Sequence, residues 1–292
     1  NANYGNGNYS SWMQNQLGDG CLYMNYRGYY GSSGFGSNNI NSANNGYKNP
    51  FAVFITCGTG DFNGTSLSEQ LFRAGSVSNP KGAVAAIGTA TTGTHTLFNN
   101  IVNMGIYDGI FPKNLKYAGA AMANGRLSLL WTYPSDPNNN VSIFSHWNNL
   151  MGDPALRLWT DTPKLIYADF DEQVSFGTNF IDVYVEDSDG VDVIDAEITL
   201  LKDDEIFITK KTNANGIARI PLEYTEPGNV LLTVIKENCK PIESEFILSD
   251  SGALVSVNHS EINIIDVEDE LTSGNGDGIL NPGELAILQI PL

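Results

Sequence analysis

The chain has 292 residues, 41% of them hydrophobic, which suffices for real cores and suggests about two domains. Its net charge of −18 is lopsided: residues 1–160 carry 8 Lys+Arg against 6 Asp+Glu, and residues 161–292 carry 7 against 27. Such acidity argues against nucleic acid and anionic membrane surfaces as partners, and with no 18-residue apolar run, no membrane insertion by a helix is expected.

In chain order, the Asn/Gly-rich start, Asn1–Tyr9, reads as a loop, and Leu285–Leu292 stops within a strand-like run. No signal-peptide pattern opens the sequence. These ends predict a piece of a larger precursor, the remainder of which would be a partner. Apolar runs at 21–26, 51–56 and 82–87 predict strands, and stretches near 65–74, 96–107, 114–130 and 141–151 predict helices. Such alternation gives a parallel sheet covered by helices. Reacting groups in such sheets gather beyond the carboxyl ends of the strands. Cys57 stands there, after Phe51–Thr56 and before the turn Gly58-Thr59-Gly60-Asp61-Phe62. The glycines let backbone N–H groups approach a substrate oxygen, and the next helix would point its positive end at a thiolate. The other reading of Cys57 is a buried structural thiol. Cys21, Cys57 and Cys239 cannot all pair and fit no zinc spacing. Cys21 and Cys239 are expected as buried free thiols. A Cys21–Cys57 disulfide stays open and would remove the nucleophile.

Five segments carry a family likeness: Asn25-Tyr26-Arg27-Gly28, Ile55–Phe62, Phe72-Arg73-Ala74, Pro80–Gly88 and Leu150–Trp159, in that order. Together they resemble the gingipain family of cysteine peptidases, in the caspase-like clan, over residues 20–248. The resemblance implies a caspase-like α/β domain over 1–160, lacking the N-terminal sheet and much of the specificity wall that the family carries upstream. It implies hydrolysis of peptide bonds through a thioester on Cys57, with backbone N–H groups near Gly28 and Cys57 holding the oxyanion. No catalytic cofactor is implied. The substrate would be a protein or peptide, and the location secreted, extracellular or on a bacterial surface.

One departure matters. The family's Asn-Tyr-x-Gly-His-Gly carries the catalytic His where this chain has Tyr29. A phenol of pKa about 10 is poorly suited to forming a thiolate or protonating a leaving amine near neutrality. Three histidines exist, His95, His146 and His259. His146 lies in a helical pattern and is expected to pack, while His259 sits in the acidic tail. His95, in Thr89–Thr96 directly after the third strand, should face the cleft. Gingipain-like proteins without the Gly-His pair carry a similar Thr-His-Thr segment, so His95 is a candidate substitute base. The other reading is a helix-capping loop.

Thr160–Pro163 reads as a hinge. Beyond it, eight short runs predict strands: 164–169, 173–176, 180–185, 196–201, 205–210, 216–221, 229–236 and 244–248. Together they suggest an immunoglobulin-like β-sandwich over 164–249, as the resemblance also implies. Residues 252–292 are expected to begin a further β-domain. There Asn275, Asp277, Asn281 and Glu284 supply hard oxygens around glycines, a pattern that suits a structural calcium ion, with Asp266 or Asp269 completing the shell. The alternative is an acidic hairpin loop without an ion. Three functions stay open: a secreted gingipain-like endopeptidase, of which this piece alone is expected to have little or no activity, an inactive scaffold of an extracellular surface or filament assembly, or a calcium-stabilised carbohydrate- or surface-binding module.

Overall fold

The computed structural model describes residues 9–28, 30–136, 138–175, 177–250 and 262–290. Two compact units part between Thr162 and Pro163.

The first unit is a sheet sandwiched between helices. Its elements run α1 (Tyr9–Asp19), β1 (Tyr23–Tyr26), α2 (Ser37–Ser42), β2 (Phe51–Phe54), α3 (Leu67–Phe72), the small hairpin β3 (Gly75–Ser76) and β4 (Asn79–Pro80), β5 (Ala85–Thr89), α4 (Thr96–Ile110), α5 (Ala118–Thr132), α6 (Asn140–Trp147) and β6 (Asn148–Met151). The four-stranded sheet has the order β1-β2-β5-β6. The first three strands are parallel, with Phe51 opposite Tyr23 and Ala85, and β6 is antiparallel to β5. Alternate residues of one strand face opposite layers. Phe51, Val53, Ile55, Ala85 and Ile87 pack with α4, α5 and α6, while Ala52, Phe54 and Ala86 pack with α1, α2 and α3. Every residue of β2 is buried, which is why its sequence, Phe-Ala-Val-Phe, is continuously apolar.

The helix expected over 141–151 ends at Trp147, and 148–151 is a strand instead. Asn148, fully buried, diverts the chain. Its Nδ2 donates to Phe144 O at 2.9 Å, its Oδ1 accepts Thr89 Oγ1–H at 3.0 Å, and Arg126 donates to its carbonyl. These bonds fix the turn and bring 148–151 against β5. Helices α1 and α2 were not expected. They bury only Met13 and Leu17, and Ile40, respectively, too few apolar positions to show a period among Asn, Ser and Gln. Buried Asn45 ties the loop after α2 to Gly82, accepting its N–H at 2.9 Å and donating to its carbonyl at 2.9 Å.

The second unit contains two sheets around one core. Its strands are β7 (Ile166–Asp169), β8 (Gln173–Ser175), β9 (Phe180–Asp187), β10 (Glu197–Lys202), β11 (Ile206–Lys211), β12 (Ile217–Pro221), β13 (Gly228–Ile235), β14 (Ile242–Ser249), β15 (Asn263–Ile265) and β16 (Ile287–Gln289). One sheet has the order β11-β10-β13-β14-β8 and the other β12-β9-β7. All pairs in them are antiparallel except β14 with β8. Ile181, Val183, Val185 and Ile220 of the smaller sheet join Ile198, Leu200, Val230, Leu232, Val234 and Phe246 of the larger in one buried cluster. The period-two alternation along β9 and β13 follows from that single shared face. β15 and β16 form a separate antiparallel pair. Among the described residues, no helix is long and apolar enough to cross a membrane.

Candidate active site

Because β1, β2 and β5 are parallel, the loops after them emerge at one sheet edge. Gly28 follows β1, Cys57 follows β2 and His95 follows β5. Tyr29 and His259 lie outside the described residues, and Tyr30, next to Tyr29, pairs with Cys57 in a parallel bridge. Gly31 N–H donates to Cys57 O at 3.3 Å, and Thr56 Oγ1–H donates to Gly31 O at 2.7 Å, so the first two loops are laced together.

The glycines after Cys57 have two separate causes. Gly58 has φ +74°, and its N–H donates to Thr91 O at 2.9 Å, which closes that donor to a substrate oxygen. Gly60 lies directly against Gly88 of β5. A side chain at Gly60 would collide with that backbone, and one at Gly88 would meet Thr59 O at 2.6 Å. This close approach sets how tightly the Cys57 loop seats on the sheet.

Cys57 is 9% exposed, and all three cysteines are free thiols. Cys57 Sγ lies 2.8 Å from Thr94 Oγ1. Thr94 in turn accepts Asn99 Nδ2–H at 3.0 Å. Thr94 immediately precedes the cap of α4, so it is α4, rather than α3, whose start touches the thiol. Arg27 joins from the first loop, donating to Gly28 O and, at 2.7 Å, to Thr96 O. Burial pulls the Arg27 guanidinium below its ordinary pKa, while Cys57 and Tyr26 push it back up. Its buried Nε has no hydrogen-bond partner.

His95 shares this edge but does not bond to Cys57. It is exposed and caps α4, with Nδ1 accepting Leu97 N–H at 3.2 Å and its ring edge-on to Phe98 at 5.7 Å. His146, expected to pack, is instead exposed in the last turn of α6, because the buried face of that helix is taken by Val141 and Phe144. Arg27, Thr94 and Asn99 were not singled out from sequence. A signal existed for Asn99: it stands one turn before Val102 and two before Ile106 on the buried face of α4, where an apolar residue is the default.

The candidate calcium residues converge on one loop. Glu284 Oε1 accepts Asn275 N–H at 3.2 Å and its Oε2 accepts Asn281 N–H at 2.9 Å, while Asn275 Nδ2 donates to Asp277 Oδ2 at 3.0 Å. Buried Asp266 accepts the N–H groups of Asp277 and Gly278, both at 3.2 Å. The donors are all hard oxygens, which suits calcium. Among the described residues, no three His, Cys, Asp or Glu side chains group closely enough to hold a metal by themselves.

Residues 2–159 match the model of Peptidase family C25. No curated protein matches the chain. Among solved structures, the Arg-specific cysteine proteinase gingipain R (RgpB) aligns with TM-score 0.65 and 21% identity over 82% of this chain and 56% of that one. The complex of Porphyromonas gingivalis RgpB pro- and mature domains gives 0.63 and 22% over 82% and 57%, and a third structure, described only as a protease, gives 0.61 and 16% over 80% and 55%. This chain thus spans a little over half the length of each. The caspase-like arrangement of a mostly parallel sheet between helices is common to them, and the family match runs through the whole of that sheet. The chain belongs to peptidase family C25, the gingipain-like cysteine peptidases.

Proposed function

We propose that Cys57 is the nucleophile of a secreted or surface-bound cysteine endopeptidase. The observation that carries this reading is a thiol held by Thr94 at the carboxyl edge of a parallel sheet in a family C25 chain. In this scheme the thiolate attacks a peptide carbonyl, the amine leaves, and water resolves the thioester. Backbone N–H groups near Gly28 and Cys57 would hold the oxyanion. Tyr29 stands where the family has its histidine, and His95 would have to release Leu97 N–H to act as base through Nδ1.

That engagement of His95 favours a second reading, an inactive scaffold that assembles at an extracellular surface. A peptidyl acyloxymethyl ketone and a set of fluorogenic peptides separate the two. The peptidase reading expects labelling at Cys57 and, in the full-length protein, turnover that Cys57→Ala abolishes. If His95 is the base, His95→Ala abolishes turnover equally and Tyr29→Phe does not. A Cys57 that ignores the probe, in a full-length protein inert to every peptide, leaves only the scaffold.

We read 164–249 as an immunoglobulin-like module. Supporting this, strands β12-β9-β7 face strands β11-β10-β13-β14, and β8 runs parallel beside β14 as a strand that has switched sheets. Residues 252–292 would begin a further β-domain, with Asn275, Asp277, Asn281 and Glu284 as ligands of one structural calcium. The RgpB complex shows pro- and mature domains associated in that protein. By analogy the remainder of a precursor, a peptide substrate or a surface-assembly partner is proposed here.

A further inference from the structure

Two side chains beside Cys57, Thr94 and Asn99, have no chemical step assigned to them in the scheme above. Thr94 Oγ1 is 2.8 Å from Cys57 Sγ and 3.0 Å from Asn99 Nδ2. An amide NH₂ can only donate, so the Thr94 oxygen accepts from Asn99 and its single hydroxyl proton remains for the sulfur. A thiol could still donate to the second lone pair of that oxygen, whereas a thiolate can only accept, and it accepts the Thr94 proton well because hydrogen bonds to charged acceptors are the stronger ones. Asn99 is 1% exposed, and its Oδ1 has no partner. A buried amide left half satisfied is costly, and here it aims the Thr94 proton. Arg27 is fixed by Gly28 O and by Thr96 O, two residues beyond Thr94, and its buried Nε is unpartnered.

We propose that Thr94 and Asn99 hold Cys57 as a thiolate, Thr94 by donating its hydroxyl proton to the sulfur and Asn99 by fixing the direction of that proton. The thiol proton passes to water, and no imidazole beside the sulfur is required for the nucleophile to form. Arg27, bonded to Gly28 O and Thr96 O in the two loops that flank Cys57, adds a positive charge to the same strand edge. Thr94 touches the reacting atom, whereas Asn99 acts through it and is a positioning residue. This rests on the reading of Cys57 as the nucleophile, but it concerns the thiol alone.

The test is the alkylation rate of Cys57 in the 292-residue chain at pH 7, followed on the Cys57 peptide by mass spectrometry so that Cys21 and Cys239 do not contribute. Sulfur displaces iodide from iodoacetamide in one step, with no leaving-group proton to supply. Thr94→Val and Asn99→Leu are expected to slow it about tenfold, the scale of one hydrogen bond to a charged acceptor, and Thr94→Ser to restore the parent rate to within about twofold. Thr94→Ala serves in place of Thr94→Val if the latter does not fold. Arg27→Gln should lower the ratio of iodoacetate to iodoacetamide rates, because only the former is an anion. Rates indifferent to Thr94, or a serine variant as slow as the valine one, overturn the proposal. Alkylation as expected, in a full-length protein that cleaves no peptide, would instead sink the peptidase reading and leave this one standing.

Discussion

The lone pair on His95 Nδ1 is already used by Leu97 N–H, which places the neutral imidazole proton on Nε2 and leaves no basic nitrogen facing outward. His95 therefore works first as a helix cap. His95→Ala should destabilise the first unit by about 0.5–2 kcal/mol, the usual cost of losing a cap, and His95→Asn should recover most of it. Equilibrium denaturation measures this. Cys57 alkylation by iodoacetamide is expected to stay within about twofold of the parent, since the cap does not touch the sulfur. A tenfold slowing would show that the imidazole serves the thiol after all. Cys57 itself was legible, because a small-residue turn after an apolar run marks a strand end. Its partners were not. Thr94 looks like any loop threonine until folding brings a loop 37 residues away against the thiol, and Arg27 occupies a variable place in the family-like segment.

At the level of elements, the two units differ in how openly the sequence shows them. Strands of the second unit bury one face, so their alternation appears directly, as in Ile181, Val183 and Val185. All eight expected strands there are present to within a few residues. In the first unit, α4 and α5 approach so closely that a side chain at Gly105 would meet Gly125 Cα at 3.0 Å, and these small residues break the apolar period that would reveal the helices' facing sides. β6 was hidden because the bonds that end α6 come from Thr89 and Arg126, far off in sequence. The β10–β11 turn offers a test. Lys202, 5% exposed, pairs with Glu205, whose carboxylate also accepts Thr225 N–H at 3.0 Å. Hydrogen bonds from Lys202 and Thr225 hold the Glu205 carboxyl down at about 2, against an ordinary 4.5. A lowered folded-state pKa stabilises above 4.5 and loses that contribution as pH falls from there towards 2. Glu205→Gln should therefore melt below the parent at pH 7, and the gap should shrink on acidification through that window. A gap independent of pH would mean that the ion pair contributes nothing through its charge.

For the whole molecule, charge is the dominant fact. Residues 161–292 carry 27 acidic against 7 basic side chains, so the second unit repels itself wherever cations do not compensate. The loop from Asn275 to Glu284 carries two of those carboxylates, and both are satisfied by loop N–H groups: Glu284 by Asn275 and Asn281, Asp277 by Ile279 at 2.8 Å. A calcium ion could replace some of those contacts with direct coordination while neutralising the cluster. General screening and a specific site predict different things. Screening responds to ionic strength and treats magnesium and calcium alike. A site responds to calcium alone, with stabilisation growing as the logarithm of free calcium and reaching about 2.7 kcal/mol at a hundred times the dissociation constant. Thermal melts at fixed ionic strength should rise with calcium, fall on chelation and ignore magnesium. Asp277→Asn with Glu284→Gln should abolish the calcium dependence, and Cys57 alkylation should not change, because the loop and the thiol belong to different units. Equal responses to calcium and magnesium, or a calcium dependence that survives the double substitution, would leave the loop as an acidic hairpin held by its own hydrogen bonds.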